Sequence, residues 1–272
     1  MLLTRVLTAA VLLAAFLAAN FLLETPLFAA GVTLVVTLAA HEWGRLCRLQ
    51  GGAAVVYAGL VGAAFGALAF TLLPVATSQP AVRGILAIAA VFWTVAVPVW
   101  LWRGVDGRVP GALPAAGVAV LLPAGLASIS MQPWALLALL ALVWSADTAA
   151  YFAGRAFGRR KLAPTISPGK TWAGVAGAAL ATLAYAMICA ESIPALVLRV
   201  TGIVWVPYIA GAALLCIVSV IGDLFESALK RQAGVKDSGR LLPGHGGILD
   251  RIDSATATLP IGALLLHWMV AK

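Results

Sequence analysis

The chain has 272 residues, of which 62% are hydrophobic and only 10% are charged, and its formal net charge is +8. Soluble domains average about 45–50% apolar and about 25% charged residues, so this chain has too little polar surface to cover a soluble core. Disorder is excluded as well, because it needs low hydrophobicity and high charge. The apolar residues run continuously instead of alternating, which argues against a membrane β-barrel. We therefore expect an all-α, polytopic integral membrane protein.

Nine apolar stretches are long enough to cross a bilayer as helices, which takes about 20 residues each. In chain order they lie near residues 4–22, 27–46, 53–74, 82–102, 113–130, 134–154, 172–190, 204–227 and 255–271. The first stretch resembles a signal peptide but is long for one, and eight more follow it, so we expect a retained helix. The sequence therefore predicts about nine transmembrane helices.

The cationic side chains are distributed unevenly among the predicted loops. If the N-terminus and the loops after the second, fourth, sixth and eighth spans share one side, that side carries 15 of the 18 Lys and Arg residues. Cytoplasmic loops carry such an excess. We therefore expect the charged loops 155–171 and 228–254 to face the cytoplasm.

Several carboxylates lie inside apolar runs, although placing one at membrane depth costs about 2.5–3.5 kcal/mol. Asp147 is one of them, and for it a buried ion pair that joins two helices explains the sequence as well as a functional role does. A second group recurs at positions i, i+3, i+4 and i+7, which form one face of a helix. This group consists of Asp223, Glu226, Ser227 and Lys230. A polar stripe on an apolar helix predicts a hydrated groove between helices.

The loop after this helix mixes cations, glycines and carboxylates. Four cations lie between residues 230 and 240, Gly246-Gly247 follow, and Asp250 and Asp253 open the last span. Positive-inside topology explains the cations but not the carboxylates among them. Glycines allow a backbone to approach a phosphate closely, and Asp with Lys or Arg is a combination that holds Mg²⁺ and phosphate oxygens. The pattern therefore favours a metal-assisted phosphate site.

The segment from Ser227 to Asp253, with its Pro243-Gly-His245-Gly-Gly-Ile-Leu-Asp250-Arg-Ile-Asp253 core, resembles the signature of the phosphatidate cytidylyltransferase (CDP-diacylglycerol synthase) family. A second resemblance covers residues 145–155 and 166–172, and Glu42-Trp43 resembles the family weakly. One departure is Ala173, where the family commonly has Glu or Gln.

The resemblance implies a reaction of CTP with phosphatidic acid that yields CDP-diacylglycerol and pyrophosphate. It implies Mg²⁺ as cofactor, with a second cation left open, and Asp223 and Asp250 as the main metal ligands. Glu226 is a further candidate ligand that has Lys230 as an alternative partner. The residues expected to be catalytic are Asp223, Lys230, Arg231, Lys236, His245 and Asp250. Those expected to bind substrate are Asp147, Ser167, Lys170, Thr171, Ser227, Asp237, Gly246, Gly247, Arg251 and Asp253.

On this interpretation residues 1–110 form N-terminal transmembrane helices, and residues 111–272 form the C-terminal helices and the loops that carry the catalytic site. The expected partners are CTP, phosphatidic acid, the lipid bilayer and a second copy of the chain in a homodimer, but no nucleic acid. The expected location is a bacterial plasma membrane, with the active site facing the cytoplasm.

Two other function classes are alternatives to this one. A cation- or proton-coupled transporter would use intramembrane carboxylates, but it predicts a duplicated half, and these carboxylates cluster at one end of a chain without a visible repeat. Another phospholipid or polyprenyl-phosphate transferase is the second alternative, and the paired-Asp pattern of the alcohol phosphotransferases is not present in the sequence.

Overall fold

The computed structural model describes residues 2–106 and 111–270 of the chain. Most of them belong to eleven α-helices. These are α1 (Leu2–Leu22), α2 (Thr25–Leu46), α3 (Gly52–Thr71), α4 (Pro80–Val91), α5 (Val97–Arg103), α6 (Ala112–Ser130), α7 (Pro133–Phe157), α8 (Trp172–Ser192), α9 (Pro194–Val197), α10 (Trp205–Ala233) and α11 (Leu249–Val270). A π-helical turn over Phe92–Ala96 joins α4 to α5, and a 3-10 turn over Gly202–Val204 precedes α10. The predicted domain boundary at residue 110 and the end of the ninth predicted span at residue 271 lie outside the described residues.

The predicted fold class, an all-α polytopic membrane protein, is confirmed, because the described residues form long apolar helices and, apart from these, only one small hairpin sheet. Within the described residues, seven helical stretches are long and apolar enough to cross a membrane. They are Thr25–Leu46, Gly52–Thr71, Pro80–Arg103, Ala112–Ser130, Pro133–Phe157, Trp172–Ser192 and Gly202–Ala233. Helix α1 covers the first predicted span, and α11 overlaps the last one but begins six residues earlier, at Leu249; neither belongs to these seven. The count of nine spans therefore stays a prediction.

Local sequence signals set the ends of several helices. Proline occupies the first turn of α2, α4 and α7, where its missing N–H has no helical partner to lose. The Thr171 side chain accepts a hydrogen bond from the backbone N–H of Gly174 (3.1 Å) and caps α8. Gly234, at φ 78°, ends α10 in the left-handed conformation that glycine adopts without strain.

A short antiparallel hairpin connects α7 to α8 and was not predicted from the sequence. Its strands are β1 (Lys161–Ala163) and β2 (Ser167–Thr171), with Lys161 opposite Thr171 and Ala163 opposite Ser167. The hairpin places Lys170 next to the start of α8, because β2 ends at Thr171 and α8 begins at Trp172.

The core extends through both predicted halves of the chain. One buried apolar cluster includes Val36 and Trp43 of α2, Leu126 of α6 and Phe225 of α10. Phe225 is 1% exposed, and its ring contacts those of Trp43, Trp93 and Trp100 at centroid distances of 5.6–6.2 Å. The face of α10 opposite the polar stripe is therefore buried among aromatic rings, which fixes the direction in which the stripe points.

Helices α10 and α11 approach each other closely at one glycine. A Cβ atom added to Gly222 would lie 2.8 Å from the carbonyl oxygen of Asp253 and 3.0 Å from the Cβ of Ala257. Small residues allow such backbone approaches between membrane helices. The contact brings Asp223, the next residue on α10, to the same level as Asp253 on α11.

Candidate functional site

A polar cavity of about 690 Å³ lies between α7, α8, α10, α11 and the hairpin. Thirteen of the residues that the sequence predicts for the site line it, although they come from five separate parts of the chain. They are Asp147, Ser167, Lys170, Thr171, Asp223, Ser227, Lys230, Arg231, Lys236, Asp237, Asp250, Arg251 and Asp253. The structure therefore brings together most of the predicted site, including residues more than 100 positions apart.

Charges of both signs face this cavity. Among the described residues, six Lys or Arg side chains and five Asp side chains line it. These charges nearly cancel, so an added triphosphate and an added lipid phosphate would leave the cavity strongly negative. Additional positive charge is therefore needed before two anionic substrates can lie side by side in it.

Asp223 lines the cavity from the polar face of α10. Its Oδ2 forms an ion pair with Lys170 Nζ at 2.5 Å, and its Oδ1 accepts a hydrogen bond from the Ser227 hydroxyl at 3.3 Å. The side chains of Lys170 and Asp223 are 22% and 31% exposed, so both remain accessible from the cavity. The hairpin and α10 are thus joined by a pair of charges that a ligand can reach.

Asp250, in the first turn of α11, is held by many donors. Its Oδ1 accepts a hydrogen bond from Lys230 Nζ at 2.8 Å. Its Oδ2 accepts hydrogen bonds from the backbone N–H groups of Gly247 (2.8 Å) and Ser238 (3.0 Å), and lies 3.1 Å from the Ser238 hydroxyl. The orientation of this carboxylate is therefore set by the loop that precedes α11, and Oδ1 is the atom with acceptor capacity left.

Glu226 lies behind Lys230 and does not line the cavity. Its Oε2 accepts a hydrogen bond from Lys230 Nζ at 2.7 Å, and its Oε1 is buried without a hydrogen-bond partner in the described part of the chain. Lys230 is consequently held between two carboxylates, Glu226 and Asp250. Of the two roles that the sequence left open for Glu226, this geometry displays the ion pair with Lys230.

The loop 234–248 is attached to α2 through Glu42. The Glu42 carboxylate is 5% exposed and accepts hydrogen bonds from the backbone N–H groups of Ile248 (3.0 Å) and Leu249 (2.9 Å). It also accepts the Ser238 hydroxyl at 2.9 Å, the same hydroxyl that lies beside Asp250. Glu42 therefore satisfies donors at the start of α11 and reaches the Asp250 carboxylate through a single shared side chain.

Gly246 and Gly247 pack against carboxylates in this structure, and neither glycine lines the cavity. A Cβ on Gly246 would lie 2.6 Å from Asp250 Oδ2, and one on Gly247 would lie 2.4 Å from Glu42 Oε2. His245 lies in the same loop, away from the cavity lining, and its Nδ1 is buried without a hydrogen-bond partner among the described residues. The substrate and catalytic roles of these three residues stay predictions.

The end of α10 and the residues after it supply the outer part of the cavity. Arg231 donates from Nε to the carbonyl oxygen of Ile166 (3.2 Å) and from a terminal nitrogen to that of Val235 (3.1 Å). Lys236 and Asp237 are exposed and line the cavity. Arg231 therefore joins the hairpin to the loop, while Lys236 remains free to turn towards a ligand.

Three carboxylates of the cavity lining, Asp147, Asp223 and Asp253, interact through their charges. The charge of Asp223 acts on both Asp147 and Asp253, and that of Arg251 acts on Asp147. Asp253 Oδ1 accepts the backbone N–H of Ser254 at 2.7 Å. In contrast to Asp250, these side chains have few donors and repel one another, so a bound cation would stabilise their charged forms.

The residues present fit a magnesium ion that is bound together with a phosphate ligand. Within the described ranges, no group of three or more His, Cys, Asp or Glu side chains is arranged to hold a metal by itself. Mg²⁺ seldom needs such a cage, because it keeps several waters and commonly binds one or two carboxylates plus substrate phosphates. Asp223 and Asp250, which line one cavity, match that requirement.

Sequence reasoning underrated Glu42 and missed Ser238. Glu42 carried only a weak resemblance, and Ser238 looked like a loop residue, yet both are buried and bonded to each other. A glutamate at the end of an apolar span was the available signal. Its partners, 196 and more positions away, had no signal in the sequence.

Known proteins with similar sequences point to one family. The cytidylyltransferase family profile matches residues 3–269. The chain is 43% identical to a curated phosphatidate cytidylyltransferase of Pseudomonas aeruginosa over 284 aligned residues, which cover 98% of this chain and 97% of that protein. It is 54% identical to the Haemophilus influenzae phosphatidate cytidylyltransferase over 122 residues, 44% of this chain and 41% of the relative. For the Bacillus subtilis protein of that name the identity is 44% over 128 residues, 46% of this chain and 44% of the relative.

Proposed function

Because the chain belongs to the cytidylyltransferase family, we propose that it transfers the cytidylyl group of CTP to phosphatidate, giving CDP-diacylglycerol and pyrophosphate. It is an enzyme, a nucleotidyltransferase of phospholipid biosynthesis. The observation that carries the specific reaction is the polar cavity, in which most of the predicted phosphate-binding cations and carboxylates lie together between membrane helices. The family assignment supports this reaction over the transporter alternative.

The proposed reaction joins two anions at one phosphorus atom. A phosphate oxygen of phosphatidate forms a bond to the α-phosphorus of CTP, and the bond from that phosphorus to the oxygen bridging to the β-phosphate breaks. The pyrophosphate leaves with that bridging oxygen and its electron pair. Lys170, Lys230 and Lys236 face the cavity from three directions, so they are placed to hold phosphate oxygens and to stabilise the developing charge.

Asp223 and Asp250 would hold Mg²⁺, and the cavity leaves room for a second cation. The ion supplies positive charge that brings the two phosphates together and stabilises the leaving pyrophosphate. Glu226 and Glu42 act behind this site, since one holds Lys230 and the other holds the loop around Asp250. The protein thus presents two carboxylates whose separation is set by the packing of α10 on α11.

The direct test uses purified protein in detergent with CTP labelled at the α-phosphorus, phosphatidate and Mg²⁺. The expected result is label in a lipid that yields CMP on hydrolysis, together with pyrophosphate. Diacylglycerol replaces phosphatidate as the control acceptor, because it has the same chains but no attacking phosphate. Transfer to diacylglycerol, or no lipid-linked label with phosphatidate, would contradict the proposed reaction.

We also propose that the chain lies in a bacterial cell membrane with its polar cavity open to the cytoplasmic side. Two copies of the chain would form a homodimer. Both proposals rest on the loop charges and on the family resemblance.

Thr165 in the hairpin and Ser192 at the end of α8 are exposed and lie at opposite ends of that helix. In a chain without its native cysteines, Thr165→Cys should react with an impermeant thiol reagent only from the cytoplasmic side, and Ser192→Cys only from the other. Reaction of both from one side would contradict this orientation, and cross-linking in detergent tests the dimer.

A further inference from the structure

A second cavity, of about 480 Å³, lies on the other side of α11 from the polar one. Helices α1, α2, α6 and α11 form most of its wall, and its lining is apolar except for Ser128, Arg251 and Thr256. The two hydroxyls are already used within their own helices. Ser128 donates to the carbonyl oxygen of Ala124 (2.9 Å), and Thr256 donates to that of Asp253 (2.7 Å). The body of this cavity therefore offers apolar contacts to an occupant.

Arg251 lines both cavities. Its side chain is exposed, and within residues 2–106 and 111–270 its guanidinium has no hydrogen bond or ion pair. Its positive charge acts on Asp147, which also lines the polar cavity. An unpaired guanidinium at the junction of a polar and an apolar space matches a molecule with an anionic head and an apolar tail.

The dimensions of the apolar cavity match one leaflet of a bilayer. Its lining residues extend from Arg251 to Leu259 along α11, and from Leu12 of α1 to Leu23, one residue past the end of that helix. At 1.5 Å per residue these distances are about 12 Å and about 16 Å. Half of the hydrocarbon core of a bilayer is about 15 Å thick. An acyl chain that begins beside Arg251 can thus extend through the cavity over about the thickness of one leaflet.

On the basis of the proposed function, we propose that the apolar cavity binds one acyl chain of phosphatidate, with Arg251 contacting the lipid phosphate at the junction. The phosphate then lies at the edge of the polar cavity, next to the carboxylates and cations that hold CTP. Phosphatidate is favoured over other membrane lipids because its exposed phosphomonoester carries more negative charge than a phosphodiester headgroup, and the guanidinium is unpaired. The cavity would make the enzyme sensitive to the length of this chain.

Gly31 of α2 offers a way to shorten the cavity without disturbing its wall. It lines the cavity, and a Cβ added there would meet no atom within 4 Å, so a large side chain has space to enter. Gly59 of α3 is a matched control. It is also a helical glycine with nothing within 4 Å of an added Cβ, and it lines neither the polar nor the apolar cavity.

The kinetic experiment compares dihexanoyl with dipalmitoyl phosphatidate in the parent, Gly31→Phe and Gly59→Phe. Gly31→Phe should raise KM for the dipalmitoyl lipid by about tenfold or more, the discrimination typical of an apolar pocket. KM for the dihexanoyl lipid and for CTP should stay within about twofold, and Gly59→Phe should match the parent throughout. Equal effects of Gly31→Phe on both lipids, or none, would overturn the proposal. If the parent converts neither lipid, the proposed function fails instead.

A labelling experiment tests the cavity independently of turnover. Phosphatidate with a photoreactive diazirine at the end of one chain is irradiated with the protein without CTP, and the labelled residues are mapped. Label should appear on the parts of α1, α2 and α11 that line the cavity, should decrease in Gly31→Phe, and should be displaced by unlabelled phosphatidate. Label on lipid-facing surfaces alone would overturn the proposal. Equal displacement by phosphatidylcholine would also overturn it, since it would indicate a structural lipid.

Discussion

Two groups of carboxylates on this protein differ in how many donors surround them. Six donor groups surround Glu42 and Asp250: Lys230 Nζ, the Ser238 hydroxyl that lies between the two carboxylates, and the backbone N–H groups of Ser238, Gly247, Ile248 and Leu249. Asp147, Asp223 and Asp253 have few donors and act on one another through their charges. The first group is stabilised by the protein itself, whereas the second gains from a bound cation. The comparison indicates that the first group holds the loop of the site in place, whereas the second group is stabilised only when a cation binds. Asp250 takes part in both, since it is held by the loop and is also proposed to bind Mg²⁺.

The largest expected effect is the loss of turnover when Asp223 or Asp250 is made neutral, and thermal stability then separates the two residues. Asp223→Asn and Asp250→Asn should each reduce turnover by about a hundredfold or more at saturating Mg²⁺, the scale of losing a major electrostatic contribution. Only Asp250→Asn should also lower the unfolding temperature, because its new NH₂ group would face donors or Lys230. Turnover and thermal unfolding in detergent measure the two effects. Near-parent turnover of Asp223→Asn would remove that residue from the metal site.

The next effect concerns Lys170, the cation that forms an ion pair with Asp223 of the second group of carboxylates. Lys170→Ala should reduce kcat/KM for CTP by about 10- to 100-fold, the value of a charged hydrogen bond to phosphate. Steady-state rates at limiting and saturating CTP provide the measurement, and Lys161→Ala in β1 is the control, since Lys161 is exposed and outside the cavity lining. If Lys170→Ala has the kinetics of the parent, Lys170 does not contact CTP, and β2 only positions the start of α8.

A third effect tests the first group of carboxylates, Glu42 and Asp250, through the free energy of unfolding. Glu42→Gln places an amide NH₂ where the carboxylate now accepts hydrogen bonds from Ser238, Ile248 and Leu249. The free energy of unfolding should fall by about 1–3 kcal/mol, the cost of leaving buried groups unsatisfied. Thermal unfolding in detergent measures it, with Glu191→Gln, at an exposed glutamate, as the control. If the two variants unfold at the same temperature, Glu42 does not hold the loop.

The smallest effect is expected at Ala173, in the first turn of α8, where the family resemblance implies Glu or Gln. Ala173→Glu should leave turnover within a few-fold of the parent, because the residues that hold phosphate and metal lie elsewhere. An acid at a helix N-terminus contributes about 0.3–1 kcal/mol, so the unfolding temperature should rise slightly. A large loss of activity would mean that this position faces the substrates.

The sequence by itself determined the class of fold and most of the site. Continuous apolar runs require helices in a membrane, because every backbone group must be satisfied without water. The period of Asp223, Ser227 and Lys230 determined a polar face on α10, and the structure confirms that these three line one cavity. Both inferences depend on interactions within about one helical turn or one span, which a sequence displays directly.

Only the tertiary structure decided which groups meet across the chain. The pairing of Lys170 with Asp223, the contact of Glu42 with the start of α11, and the position of Arg251 between two cavities join segments far apart in sequence. The glycines at 246 and 247 illustrate the same limit, because the sequence predicts an approach to phosphate, and the structure places them against carboxylates. Such contacts depend on how whole helices pack, and local spacing carries no information about that packing.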